Sequence, residues 1–152
     1  MLAPGAQRPG RRVRGVTSVL YRLDHWMVSP LTSESPRLRG GRCDRCGKIF
    51  FPRFDVCPGC MSTEPMTEVP LSRYGTLYCY SVVHVNRPGF TAPYVVAYVD
   101  LLEGPRVFGH LDSRADLGSE VEIYGGPIGH DGAGNQVISV RFRAARPRNE
   151  QV

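Results

Sequence analysis

Two Cys-x-x-Cys pairs, five closely spaced strand signals after them and no apolar 3.6-residue period of helical length predict a mainly β chain. The expected architecture is an N-terminal zinc ribbon followed by a five-stranded OB-fold barrel. Residues 1–36 read as a flexible arm and lead-in, with Met27 as an alternative first residue. Residues 37–70 read as the ribbon and a connector, 71–145 as the barrel and 146–152 as a tail.

The strand signals come in quick succession. GTLYCYSVVHV at 75–85 and YVVAYVDL at 94–101 are dense in β-branched and aromatic side chains, and NRPGFTAP between them is broken by Pro88, Gly89 and Pro93. RVFGHL at 106–111, EVEIYG at 120–125 and QVISVRFRA at 136–144 follow. GGPIGHDGAGN before the last strand reads as a turn, because its residues tolerate positive φ. Closing five short strands into a barrel removes the exposed edges that an open sheet would leave. Gly104 before Pro105 suits a turn, Gly109 a bulge or barrel bend, and Cys79 a small core position.

Ahead of the strands, CDRCGKIFFPRFDVCPGC sets Cys43 and Cys46 ten residues before Cys57 and Cys60. Each Cys-x-x-Cys turn places two sulfurs on one side of an ion, and two turns complete the tetrahedral shell that zinc prefers. Gly47 and Gly59 permit a tight backbone around the sulfurs, and Pro58 stiffens the second turn. Two disulfides or four unconnected thiols are the competing readings. Ligand spacing and the lack of a secretory segment favour one structural zinc, and four thiolates leave no open position for catalysis. The residues 32–41 before the ribbon look like an extended lead-in anchored by Leu38, and 61–70 like a polar connector.

Charge narrows the function classes. The chain of 152 residues has a formal charge of +5, but eight arginines against Asp24 and Glu34 put +6 in residues 1–42. Residues 43–152 hold eleven basic against twelve acidic side chains, a net −1, which argues against a nucleic-acid surface. A start at Met27 would leave +1. No apolar run of about 18 residues is present to span a membrane. The first fifteen residues carry arginines without the apolar stretch of about 7 to 15 that a secretory signal needs, so a cytoplasmic location is expected.

The segments LRGGRCDRCGKIFFP, CPGC, YGTLYCYSVVH, GFTAPYVVAYVDLLEGPRVFGHL and VISVRFRA, from about Leu38 to Ala144, carry a family likeness. In combination they resemble the family once called a domain of unknown function, number 35, in which a rubredoxin-like zinc ribbon precedes an OB-fold. Where many members carry a helix before the ribbon, this chain has a Pro- and Ser-rich lead-in. The resemblance implies an accessory subunit, without activity of its own, that docks on an acyl-CoA-processing enzyme and helps enclose the CoA ester. A thiolase-like partner is the first expectation, and VDLLEGPRVFGHL looks most like members paired with thiolases. An enoyl-CoA hydratase-like or aldolase partner is the alternative.

No Ser-His-Asp arrangement, nucleophile elbow or phosphate loop is written in the chain, so no catalytic residue is assigned. If the loop after the first long strand meets an acyl-CoA, Arg87 would pair with phosphate and Phe90 supply apolar contact. His84 or Tyr94 would then donate a hydrogen bond. Arg53 beside the zinc hairpin and Arg106 at the third strand are further candidate contacts; the plainer reading leaves these arginines solvated and the aromatics packed on the barrel. A single-stranded nucleic-acid-binding OB-fold is the reading from another class, opposed by the near-neutral folded part. An autonomous thioesterase or transferase is the weakest reading.

Overall fold

Alternating apolar and polar side chains build a closed barrel from the five strands the sequence marks, and a three-stranded ribbon leads into it. The computed structural model describes Ser18–Val19 and residues 37–146. The rest of the expected arm, including the alternative start at Met27, and the tail from 147 lie outside the described residues. Along the chain the strands are β1 (Ser18–Val19), β2 (Arg39–Arg42), β3 (Ile49–Phe50), β4 (Thr67–Pro70), β5 (Tyr74–Val83), β6 (Tyr94–Leu101), β7 (Arg106–Leu111), β8 (Glu120–His130) and β9 (Gln136–Ala144). No helix occurs among the described residues.

The barrel runs β9-β7-β6-β5-β8, and β8 pairs with β9 to close it. All neighbours are antiparallel except β7 with β9, which run parallel through His110–Arg141 and Leu111–Phe142. β1 lies parallel to the start of β9, with Ser18 opposite Gln136. Inward positions fill the core: Leu77 from β5, Ala97, Val99 and Leu101 from β6, Val107 and Leu111 from β7, Val121 and Ile123 from β8, Val140 and Phe142 from β9. Gly109 faces Phe142, and a Cβ there would stand 2.8 Å from both the Phe142 ring and the Val140 carbonyl oxygen. The predicted bend is thus a site of close approach that lets β7 lie against β9.

Three sequence expectations change. Residues 126–130 continue β8 instead of forming a turn; the turn is limited to residues 131–135, where the Asp131 carboxylate accepts the backbone N–H groups of Ala133 and Asn135. Pairing with β9 as far as His130–Gln136 outweighs the turn preference of Gly125, Gly126 and Gly129, with an irregularity between Pro127 and Gly129 absorbing the mismatch. Cys79 is half-buried and outside the core, because a bulge between Leu77 and Cys79 shifts the inward parity and Tyr80 packs on the core instead.

The third change concerns the ribbon. The lead-in and the connector are paired strands: β2 runs antiparallel to β4 from Arg39–Pro70 to Arg42–Thr67, and to β3 on its other side. Leu38 and Leu71, both fully buried, join the barrel core, and the Leu71 N–H donates to the Leu38 carbonyl at 2.9 Å. Ribbon and barrel therefore share one apolar cluster. Glu122 is buried on β8 between Arg73 and Arg143, whose hydrogen bonds hold its carboxyl below the usual range against the opposing effect of burial.

Replacing Gly109 with Val should destabilise the barrel by about 1–3 kcal/mol, because its Cβ would press on the Val140 backbone oxygen as well as on the Phe142 ring. Urea unfolding followed by intrinsic fluorescence would show a lower midpoint; an unchanged midpoint would mean the strands separate without cost.

Candidate metal centre and binding face

The four ribbon cysteines converge although ten residues, including β3, separate the pairs. Both turns use the same hydrogen bonds. The Cys43 N–H donates to the Lys48 carbonyl at 2.9 Å and Gly47 to the Cys43 carbonyl at 2.7 Å; in the second turn Cys57 donates to Ser62 at 2.8 Å and Met61 to Cys57 at 2.8 Å. Gly47 takes φ of 74°, and its counterpart Met61 takes 60°, a left-handed conformation that costs a side-chain-bearing residue about 1 kcal/mol or more. The sequence pointed to Gly59 for the second turn. Gly59 instead donates its N–H to the Cys57 sulfur at 3.3 Å, and the strained position belongs to Met61.

The geometry fits one ion. Cys43 and Cys60 sulfurs are 3.7 Å apart, as are those of Cys46 and Cys57, and all four lie within 4.8 Å of one another. A tetrahedral zinc with Zn–S of about 2.3 Å requires sulfur separations of about 3.8 Å, whereas a disulfide would need about 2.05 Å. Burial pushes the Cys57 thiol up, but N–H groups of Cys60 and Gly59 and the adjacent sulfurs bring it down to about 7. The Ser62 N–H pulls Cys60 down, yet burial and the three neighbouring sulfurs hold it up at about 11. Four thiolates so close together need a cation among them, and a divalent zinc supplies it as a closed structural centre.

The other sequence candidates do not form one site. Phe90 and Tyr94 come together, with ring centroids 5.9 Å apart, and both stack on His110, at 6.0 and 5.4 Å. His84 is exposed beyond the end of β5, and Arg87 is exposed, joined to Phe90 through backbone hydrogen bonds. Arg106 lies four residues from His110 on β7, about 13 Å along the strand. It pairs with Asp100 at 2.6 Å and covers the Tyr78 ring at 3.3 Å. Arg53 belongs to the ribbon, 3.6 Å from Glu68.

Sequence reasoning passed over His110 and Arg141. A hollow of about 360 Å³ opens between the 89–95 loop, the end of β7 and the end of β8, lined by Tyr94, His110, Ile128, His130 and Arg141 among others. The Gly89 carbonyl accepts the His130 N–H at 2.9 Å, and a Cβ at Gly89 would meet the His130 oxygen at 2.0 Å, so glycine is needed to seat the loop on β8. Arg141 is held by Asp112 at 2.8 Å, and Asp112 also accepts the Tyr124 hydroxyl at 2.8 Å. The period-2 alternation of RVFGHL placed His110 outward; nothing in a single sequence placed it beside residue 90.

Known proteins bear directly on this arrangement. A family model described as the ChsH2 rubredoxin-like zinc ribbon domain matches residues 34–65, and one described as the ChsH2 C-terminal OB-fold domain matches 68–125. The benzoylsuccinyl-CoA thiolase subunit BbsA of Thauera aromatica is 32% identical over 142 residues, covering 90% of this chain and 96% of that protein. The chain belongs to the ChsH2 zinc-ribbon and OB-fold family. Within the ChsH2 family, a DUF35 domain-containing scaffold protein of Methanocaldococcus jannaschii is 40% identical over 101 residues, covering 62% of this chain and 72% of its own. A solved structure described as an Ltp2-ChsH2(DUF35) aldolase shares 31% identity with a TM-score of 0.59, over 72% of this chain and 86% of that one. Like other ChsH2-type ribbons, this one carries a structural zinc in its four-cysteine cluster.

Cys57→Ser should reduce bound zinc well below one per chain by elemental analysis; full retention would remove Cys57 from the ligand set. A second prediction concerns His110, whose pKa is lowered by burial and then by Arg141. The fold favours the neutral ring, so stability is highest above the ordinary value of 6.5 and falls as pH drops through 6.5 towards the lowered folded value. His110→Phe should flatten this dependence in thermal melts between pH 7 and pH 5; an equally steep fall would assign it to other groups.

Proposed function

We propose that this chain is an accessory subunit, without activity of its own, of an acyl-CoA-processing enzyme of the thiolase type. The observation that carries the reading is the near full-length match to a benzoylsuccinyl-CoA thiolase subunit, joined to a metal centre whose four thiolates leave no position for substrate. A scaffold role fits the same facts, since the related archaeal protein is described as a scaffold. An aldolase partner is the alternative supported by the solved relative. We divide the chain into two functional parts, 37–70 and 71–145, a reading supported by the separate sheets and by family matches that part between residues 65 and 68.

Of the candidate contacts, Phe90 and Tyr94, with His110, are the ones we assign to the acyl-CoA or partner side. They line the face formed by the second and third barrel strands, where OB-folds commonly take ligands. The same face could be argued for single-stranded nucleic acid, but residues 71–145 hold six basic against seven acidic side chains, which disfavours a phosphate backbone. A cytoplasmic setting agrees with the reduced thiols and with the lack, among the described residues, of any helix long and apolar enough to cross a membrane.

Co-expression with a thiolase-like subunit encoded beside it should yield a stable complex that turns over a CoA ester, while the isolated chain holds zinc and shows no turnover. Turnover by the isolated chain, or failure to assemble with any adjacent acyl-CoA enzyme, would defeat the reading.

A further inference from the structure

The four zinc ligands are unequally covered. Cys43 and Cys57 are buried, Cys60 is half-buried and Cys46 is exposed. Cys57 is also tied into its own turn, because the Gly59 N–H donates to its sulfur at 3.3 Å. The same glycine borders the Cys46 sulfur from across the ribbon. A Cβ on Gly59 would stand 3.5 Å from Cys46 Sγ, 3.4 Å from Phe50 Cζ and 3.0 Å from Lys48 Cδ. Glycine therefore leaves that side of the Cys46 sulfur without a side chain over it.

Coordination keeps cysteine sulfurs as thiolates at neutral pH, and thiolate character together with access decides which cysteine a peroxide oxidises. The first property is common to the four ligands; the second singles out Cys46. The sulfurs also pair across the turns. Cys46 lies 3.7 Å from Cys57, and Cys43 lies 3.7 Å from Cys60, so a sulfur oxidised on the first turn faces a thiolate on the second. Closing 3.7 Å to the length of a disulfide, about 2.05 Å, asks for a small approach shared between two turns.

We propose that Cys46 is a modification site for hydroperoxides, and that Cys57 captures its oxidised form as a reversible disulfide between the two turns, with release of the metal. The site needs the zinc centre and no partner, so it stands whether or not the chain is an accessory subunit. In the first step the Cys46 thiolate attacks a peroxide oxygen, the O–O bond breaks, hydroxide leaves and Cys46 becomes a sulfenic acid. In the second the Cys57 thiolate attacks the Cys46 sulfur, the S–S bond forms, the S–O bond breaks and a second hydroxide leaves. Two protons from solvent convert the hydroxides to water. Two thiolates thus lose two electrons, and one hydrogen peroxide is reduced to two waters.

Cys43 and Cys60 alone do not complete a tetrahedral shell, so the ion is released. Residues 43–62 bury little besides Cys43, Cys57 and Ser62, and loss of the metal loosens both turns. Leu38 and Leu71 still hold the ribbon to the barrel, and the disulfide keeps the turns together. A reductant with zinc therefore restores the centre.

The test uses the full zinc-loaded chain carrying Cys79→Ser, which leaves the four ligands as its only cysteines. Hydrogen peroxide is added, zinc release is followed with a chromogenic chelator, and dimedone traps sulfenic acid for peptide mass spectrometry. The first dimedone adduct should fall on Cys46. Without dimedone, a peptide cross-linked through Cys46 and Cys57 should appear in step with the released zinc, and dithiothreitol with added zinc should reverse both changes. Gly59→Ala should retain zinc and slow the release severalfold, because its methyl group covers the Cys46 sulfur while the flexible Lys48 stem moves aside. A first adduct on Cys43, Cys57 or Cys60 would overturn the proposal, as would a disulfide confined to Cys43–Cys46 or Cys57–Cys60. Zinc retained after a free small thiol in the same solution has been oxidised would overturn it too. So would an unchanged rate in zinc-loaded Gly59→Ala; if that variant loses zinc on purification, the order of adducts in the chain with Gly59 decides.

Discussion

His110 with Arg141 and Leu111 with Phe142 hold β7 parallel to β9, and through those two registers the sheet closes on itself. A parallel contact between strands so far apart in sequence gives no local stabilisation before the chain has already folded round. It survives because Gly109 leaves room for the Phe142 ring, which is fully buried. Everything on the outer face of the barrel inherits its position from this closure. His110 stands opposite Val96 in the antiparallel β6–β7 ladder, which sets it beside Tyr94 and Phe90, and Arg141 meets Asp112 across the β7–β9 seam.

The ribbon depends on the barrel in a different way. Its own core is the metal, since residues 43–62 bury little besides Cys43, Cys57 and Ser62. Its attachment is Leu38 against Leu71 at the start of the barrel, with Ile49, Phe51 and Val69 packed alongside. Metal binding therefore orders the turns, and apolar burial fixes the ordered turns to the barrel. This division separates what the zinc does from what the ribbon surface does. A closed tetrathiolate shell performs no chemistry on a substrate, but it holds Lys48 over Gly59 and Phe50 beside Phe54 in one rigid arrangement.

Met61 illustrates how the two turns, built alike in hydrogen bonding, differ in sequence. The first places Gly47 at the left-handed position, while the second places a methionine there, 73% exposed. The bond from its N–H to the Cys57 carbonyl, together with the ligand on either flank of the turn, over-determines the backbone and holds the strain.

By itself the sequence determined the elements and the metal. Alternation and β-branched content located five barrel strands, the paired Cys-x-x-Cys spacing located the four sulfurs, and the motif string located the family. These are local properties, written within a few residues. Only the tertiary structure decided that residues 126–130 prolong β8, that a bulge turns Cys79 out of the core, and that the lead-in and connector are strands of one ribbon sheet. It also separated Arg106 from the Phe90 loop and supplied His110 in its place. Each of those outcomes depends on a partner strand or a packed ring distant in sequence, and pairing energy at such a distance overrides the local preference of glycine, proline or a short polar run.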